Sequence, residues 1–219
     1  MAVRPIFIGT WRVENTALIA AHGTGLALVG FTAGSSGSRV HGISVAATDA
    51  GGNTMVLYYA KRMTLQSAMT VGAFVDGGGG SDTITRTGGS FITDGWLVGD
   101  RLLVSSPTTL ANSFFITLTG VAALALTFAT ATVDTAENLP TGSIIWKLSQ
   151  LHLTTLAANA GNAVGTDALD MLITDWPIAD VTPDRYIILE ANDALAFNVG
   201  TAVGAAPDRV DIAVFGGDY

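Results

Sequence analysis

The sequence contains no cysteine, which removes disulfide bridges, thiolate metal sites and a thiol nucleophile together. Charge is scarce as well: Asp, Glu, Lys and Arg make up 13% of the 219 residues, about half the share usual in a globular domain. Positive charge is the scarcer kind, with 10 Lys and Arg against 18 acidic residues and a net charge of -8. That balance opposes a phosphate-binding surface, and nucleic acid is not an expected partner. Histidine occurs only at His22, His41 and His152, and no pair has the i, i+2 or i, i+4 spacing of a zinc site. The start, Met1-Ala2-Val3-Arg4-Pro5-Ile6-Phe7, lacks the apolar core and small-residue cleavage site of a secretory signal, so no export is expected.

What remains is apolar and rich in glycine. Hydrophobic residues are 49% of the chain and glycines number 26. A chain of this length can bury about 70% of the surface its unfolded form exposes, so it needs no staple to hold a core. The run from Leu102 to Val133 carries no charge. Threonines at 108, 109, 117, 119, 127, 130 and 132, with Asn112 and Ser113, punctuate it, and a membrane helix is not expected.

Abundant Thr, Val and Ala without a sustained 3.6-residue apolar repeat predict short strands joined by glycine-bearing turns, so the class is all-β. Leu26 to Val29, Val40 to Val45 and Met55 to Ala60 are spaced as three antiparallel strands, with turn chemistry at 33–38 and 49–53. Asp76-Gly77-Gly78-Gly79-Gly80-Ser81-Asp82 interrupts that pattern and predicts a hinge or boundary. Beyond it, Thr83 to Arg86, Trp96 to Val104, Phe114 to Leu118 and Leu124 to Phe128 have the spacing of a small barrel or sandwich, with Gly120 to Ala123 as a turn. Ile144 to Leu148 leads back out, which predicts a domain inserted in a loop. Strands are then expected at Leu151 to Leu156, Tyr186 to Glu190, Ala194 to Val199 and Arg209 to Phe215, and a short helix or turn at Asp167 to Ile173.

Candidates for chemistry are few. His41 lies in a strand pattern, His22 beside a glycine and His152 on the polar side of a strand, and none sits in a nucleophile motif. Asp167, Asp170, Asp175, Asp180 and Asp184 crowd one segment and could gather around calcium, but their spacing fits no calcium loop. Asp is also a preferred turn and cap residue, and turn chemistry is the expectation there. Glu14, Glu137 and Glu190 are isolated, so no glycosidase pair is selected. Gly77 to Gly80 has no following Lys-Ser or Lys-Thr and is no phosphate cradle. Trp11, Trp96, Trp146 and Trp176 could stack on sugars, although Trp96 and Trp146 sit in apolar strands and are expected in the core.

The segments Thr32-Ala33-Gly34-Ser35-Ser36-Gly37-Ser38-Arg39-Val40, Met55-Val56-Leu57-Tyr58-Tyr59 and Val214-Phe215-Gly216-Gly217-Asp218-Tyr219 resemble tailed-bacteriophage capsid decoration, or cement, proteins. The resemblance covers residues 1 to about 62 and about 149 to 219. Thr83 to Asp100 is similar to a second phage structural module, with its pattern T-I-T-R-x-x-G-S-F-x-x-D-G-W-x-x-G-D. That module's later pattern is only partly kept in Asn112-Ser113-Phe114-Phe115-Ile116, and the simpler relatives lack the insertion.

The resemblance implies a jelly-roll-like antiparallel β-sandwich formed by residues 1–63 and 149–219, with a small β-barrel or sandwich domain inserted at 64–148. It implies a non-enzymatic virion protein on the outer capsid surface, made in the bacterial host cytoplasm. The expected partners are the major capsid protein and further copies of the chain in a homotrimer. Linked footprints on a lattice release slowly because several contacts must open together. No cofactor, metal, small-molecule substrate or membrane is expected. The extended start around Arg4, Pro5, Ile6 and Phe7 is the candidate partner contact, because Pro5 cannot donate to a central ladder; a first edge strand is the alternative. A neck, tail or baseplate protein is the second functional expectation, and a carbohydrate-binding module or glycan-degrading enzyme the third.

Overall fold

A computed structural model describes residues 10–22, 27–49, 51–63, 72–78, 80–105, 114–129, 137–138, 144–161, 168–172 and 186–219. Arg4, Pro5, Ile6 and Phe7 lie outside the described residues. The first four strands are β1 (Thr10–Ile19), β2 (Leu28–Thr32), β3 (Ser38–Ala47) and β4 (Asn53–Arg62). Seven shorter ones follow: β5 (Gly72–Val75), β6 (Asp82–Arg86), β7 (Arg101–Ser105), β8 (Phe114–Thr117), β9 (Gly120–Ala122), β10 (Ala125–Phe128) and β11 (Glu137–Asn138). The chain ends with β12 (Ile144–Leu156), β13 (Leu169–Asp170), β14 (Ile187–Leu189), β15 (Ala194–Val199) and β16 (Arg209–Asp218). The protein is an all-β antiparallel sandwich.

It divides into two compact units, residues 1–59 with 150–219, and residues 60–149. In the first unit one sheet has the order β1-β16-β3-β13, with β14 also on β3, and the other contains β2-β15-β4-β12. Successive strands therefore alternate between sheets, except that β4 and β12 are neighbours in one sheet and the first strand pairs with the last. This is the strand order of an eight-stranded jelly roll with β13 and β14 sharing one position. The second unit occupies the connection between the fourth and fifth strands of that roll.

Alternation explains which residues face inward. On β3, Val40, Ile43, Val45 and Ala47 are buried, and on β16 Val210, Ile212 and Val214. They meet Phe31, Leu57, Leu195 and Phe197 from the other sheet in one core. Each large side chain enclosed there stabilises the fold by about 1.5–3 kcal/mol relative to exposure. The three-residue step from Val40 to Ile43 breaks strict alternation, and a β-bulge accommodates it: Phe215 pairs with Gly42 but Gly216 pairs with Val40.

In the second unit, β11-β5-β6-β10-β9 form one sheet, and β7 pairs with both β8 and the start of β12. Phe74, Ile84, Phe91, Trp96, Leu126 and Phe128 are among the residues of its own core.

Several local expectations are corrected. Gly77, Gly78 and Gly80 mark no boundary: they lie in the hairpin that joins β5 to β6, where Gly80 N donates to Gly77 O at 3.0 Å. Gly120 to Ala122 is a strand paired with β10, and the turn falls at Ala123 and Leu124. Trp96 to Asp100 precedes β7 as turn. Within 167–173, the described Leu169 and Asp170 are extended and pair with Val45 and Ser44, and the expected turn falls at Met171 and Leu172. Ile144 to Leu148 and Leu151 to Leu156 are one thirteen-residue strand. The uncharged run from Leu102 supplies β7 to β10, and no helix among the described residues is long and apolar enough to cross a membrane.

Candidate functional site

Two of the segments that carried the resemblance, 32–40 and 214–219, meet in space. Asp218, at the end of β16, accepts hydrogen bonds at Oδ1 from the Ser38 hydroxyl and from Gly34 N, the latter at 3.2 Å. Its Oδ2 is 3.0 Å from Arg12 Nη1. Arg12 also pairs with Glu14 at 3.0 Å, donates to the carbonyl of Thr32, and stacks over Phe31 at 4.5 Å. Tyr219 N donates to Gly37 O at 3.2 Å. Gly37 has φ +93°, which any other L-residue adopts at a cost, and a Cβ there would lie 2.8 Å from Leu189 O. A Cβ on Gly34 would lie 2.7 Å from the Asp218 carboxyl carbon. The turn at 33–38 and the Gly-Gly-Asp-Tyr end are thus two halves of one latch on the roll.

A second constellation lies on the outer face of the β1-β16-β3-β14 sheet. Alternation on β1 turns Arg12 inward and Trp11 and Val13 outward, and Val13 stands opposite Phe215. The bulge in β3 keeps Val40 and Ile43 buried while His41 comes within 4.9 Å of Trp11, centroid to centroid. Tyr186 follows at 6.3 Å from His41, and the Arg39 guanidinium carbon sits 3.6 Å from the Tyr186 centroid. Ile188 is paired with Arg39 in register. Trp11 is 60% exposed, and Val13, Tyr186, Ile188 and Phe215 are exposed as well. Gly42 lies beneath Phe215, where a Cβ would be 3.4 Å from the ring.

The other residues singled out from sequence separate. His22 ends a short 3-10 turn, where its Nδ1 accepts from Ile19 N at 3.0 Å. His152 is half-buried on β12. Glu14 is Arg12's partner. Glu190 is exposed after β14, and Glu137 lies in β11. Trp96 and Trp146 are buried, whereas Trp176, Asp167, Asp175, Asp180 and Asp184 fall outside the described residues. No group of three or more His, Asp or Glu placed to hold a metal occurs among the described residues.

Two further knots lie in segments that the sequence marked only as turn or module pattern. Asp49 accepts from Gly51 N at 2.7 Å, from Gly204 N at 2.9 Å and from Asn53 Nδ2 at 3.1 Å. These donors, the backbone ones foremost, hold its carboxyl below the ordinary carboxylate range. In the second unit the Arg86 guanidinium is fully buried, pairs with Asp94 and donates to Gly88 O beneath Phe91. Asp100 accepts from Leu97 N at 2.7 Å and pairs with Lys147 at 2.6 Å. The residue types of the module pattern therefore hold one rigid loop, from which Ile92, Leu97 and Val98 project.

Comparison with known proteins finds no matching family model, no matching curated protein and no matching solved structure.

Proposed function

We propose that the protein is a non-enzymatic virion structural protein, a decoration or cement protein that binds the outer surface of a phage head as a homotrimer and bridges neighbouring major capsid subunits. The observation that carries the reading is the latch. Two sequence segments that resemble the decoration family, 180 residues apart at Ser38 and Asp218, are hydrogen-bonded to each other, and their joining in one structural device supports reading the resemblance as a single feature. The jelly-roll strand order supports it further, since the fold is shared by many capsid proteins.

Stabilisation would follow from geometry. Each trimer spans several subunits, and local opening of the shell then requires several footprints to release at once. The test is the copy number of this chain relative to the major capsid protein in purified virions, by quantitative mass spectrometry. Stoichiometry comparable with the capsid protein is the expected result. A few copies per particle assigns the chain to the neck, tail or baseplate, and absence from the particle removes the virion reading.

A further inference from the structure

We propose that the outer face of the β1-β16-β3-β14 sheet is the surface that docks on the shell, with Trp11, Arg39, Tyr186 and Phe215 as anchors. Its partner is an epitope of the major capsid protein that sets a carboxylate among apolar side chains. This rests on the decoration reading above and adds to it which face binds and what chemistry it meets.

Three observations carry the assignment. The first is clustering: Trp11, Val13, Tyr186, Ile188 and Phe215 are exposed on adjoining strands of one face, whereas exposed apolar residues scattered singly need no explanation. Trp, Tyr and Arg are also the residues that most often dominate binding energy at protein interfaces. The second is preorganisation. Trp11, His41, Tyr186 and Arg39 form a continuous stack, with spacings of 4.9, 6.3 and 3.6 Å, and Trp11, His41 and Arg39 sit on strands. Side chains already ordered in the free protein lose little entropy on binding.

The third observation, charge, chooses the occupant. Among the described residues of the jelly-roll unit, Arg12 pairs with Glu14 and Asp218, Arg209 pairs with Asp211, and Arg39 alone has no carboxylate. In a chain of net charge -8 an arginine left without an acid, its plane fixed against an aromatic ring, is matched by a carboxylate supplied from outside. A second copy docked face to face offers this same outer face in return, where the Asp211 carboxylate is already paired with Arg209. A neutral glycan would occupy the rings but leave the guanidinium unanswered.

The experiment uses the full chain and shells purified from the phage lacking its gene. Wild type, Trp11→Ala, Arg39→Glu and Arg39→Lys, with Lys61→Ala on β4 of the other sheet as control, are titrated onto shells by co-sedimentation, with circular dichroism verifying folding and ultracentrifugation reporting oligomeric state. Trp11→Ala and Arg39→Glu are expected to weaken shell binding about tenfold or more, Arg39→Lys to weaken it less, and the control and all oligomeric states to stay unchanged. Variants that bind shells like wild type overturn this face while leaving the decoration reading intact. If wild type itself fails to bind shells, the decoration reading falls and the partner named here falls with it. Dissociation of the oligomer by the variants makes the face a self-contact, and Trp11-dependent binding on a glycan array makes it a sugar site; either result overturns the proposal.

Discussion

Asp218 ties β1, the turn at 33–38 and β16 together through one carboxylate. It receives Ser38, Gly34 and Arg12 at once, so its loss removes an acceptor from all three, leaving Gly34 N with Ser38 Oγ and Arg12 with Glu14 and the Thr32 carbonyl. Asp218→Ala is expected to lower stability by about 2–3 kcal/mol, read as a drop in the urea midpoint. An unchanged midpoint would show that the latch is incidental. Asp49 contributes to acid behaviour. Its carboxyl is held below its ordinary value of 3.8 by the backbone N–H groups of Gly51 and Gly204 and by Asn53. The stabilisation is therefore complete above that value and is lost as pH falls through the lower folded-state value. Asp49→Asn should be less stable than wild type at neutral pH, with the gap narrowing below about pH 4 as the wild-type advantage titrates away. A gap independent of pH would refute the ionic contribution.

At the scale of the element, the bulge opposite Phe215 and Gly216 sets both core and surface. It lets Val40 and Ile43 point inward together and brings His41 beside Trp11. Gly216 is tightly enclosed: a Cβ would lie 2.8 Å from the Phe31 ring and 3.0 Å from Arg39 O. Gly216→Ala should cost about 1–3 kcal/mol through overpacking, and near-ultraviolet circular dichroism should record the disturbed aromatic stack; a neutral substitution would mean the ladder gives way freely. Most strands were legible as alternating or β-branched runs, as with Met55 to Ala60 inside β4 and Arg209 to Phe215 inside β16. β1 was not, because Arg12 and Glu14 occupy its inward positions at the sheet edge, where the latch uses their charge and alternation of apolar and polar residues fails. The outer face was legible only in part. Trp11 stood out as an aromatic residue, but its neighbours His41, Tyr186 and Arg39 come from strands far apart in sequence, and the shift that aligns them is a pairing irregularity rather than a motif.

For the whole molecule, the decisive feature is where the second unit joins. Met63 N donates to Ile145 O at 3.0 Å, so the segment between them leaves and returns at one place, the condition under which an insertion can be removed without opening its host. Replacing residues 64–143 by a short Asn-Gly linker should leave a β-rich chain with a single cooperative urea transition and a smaller denaturant slope than the full chain. Failure of the remainder to fold would show that the two units are energetically one. The same chain path has a mechanical consequence. The first and last strands run antiparallel with Thr10 opposite Asp218 and Ile19 opposite Arg209. Tension applied across Thr10 and Asp218 therefore opens that ladder one pair at a time, as a zipper opens. Tension across Thr10 and Arg209 runs along both strands and loads every pair together. The roll is weak to force in one direction and strong in another.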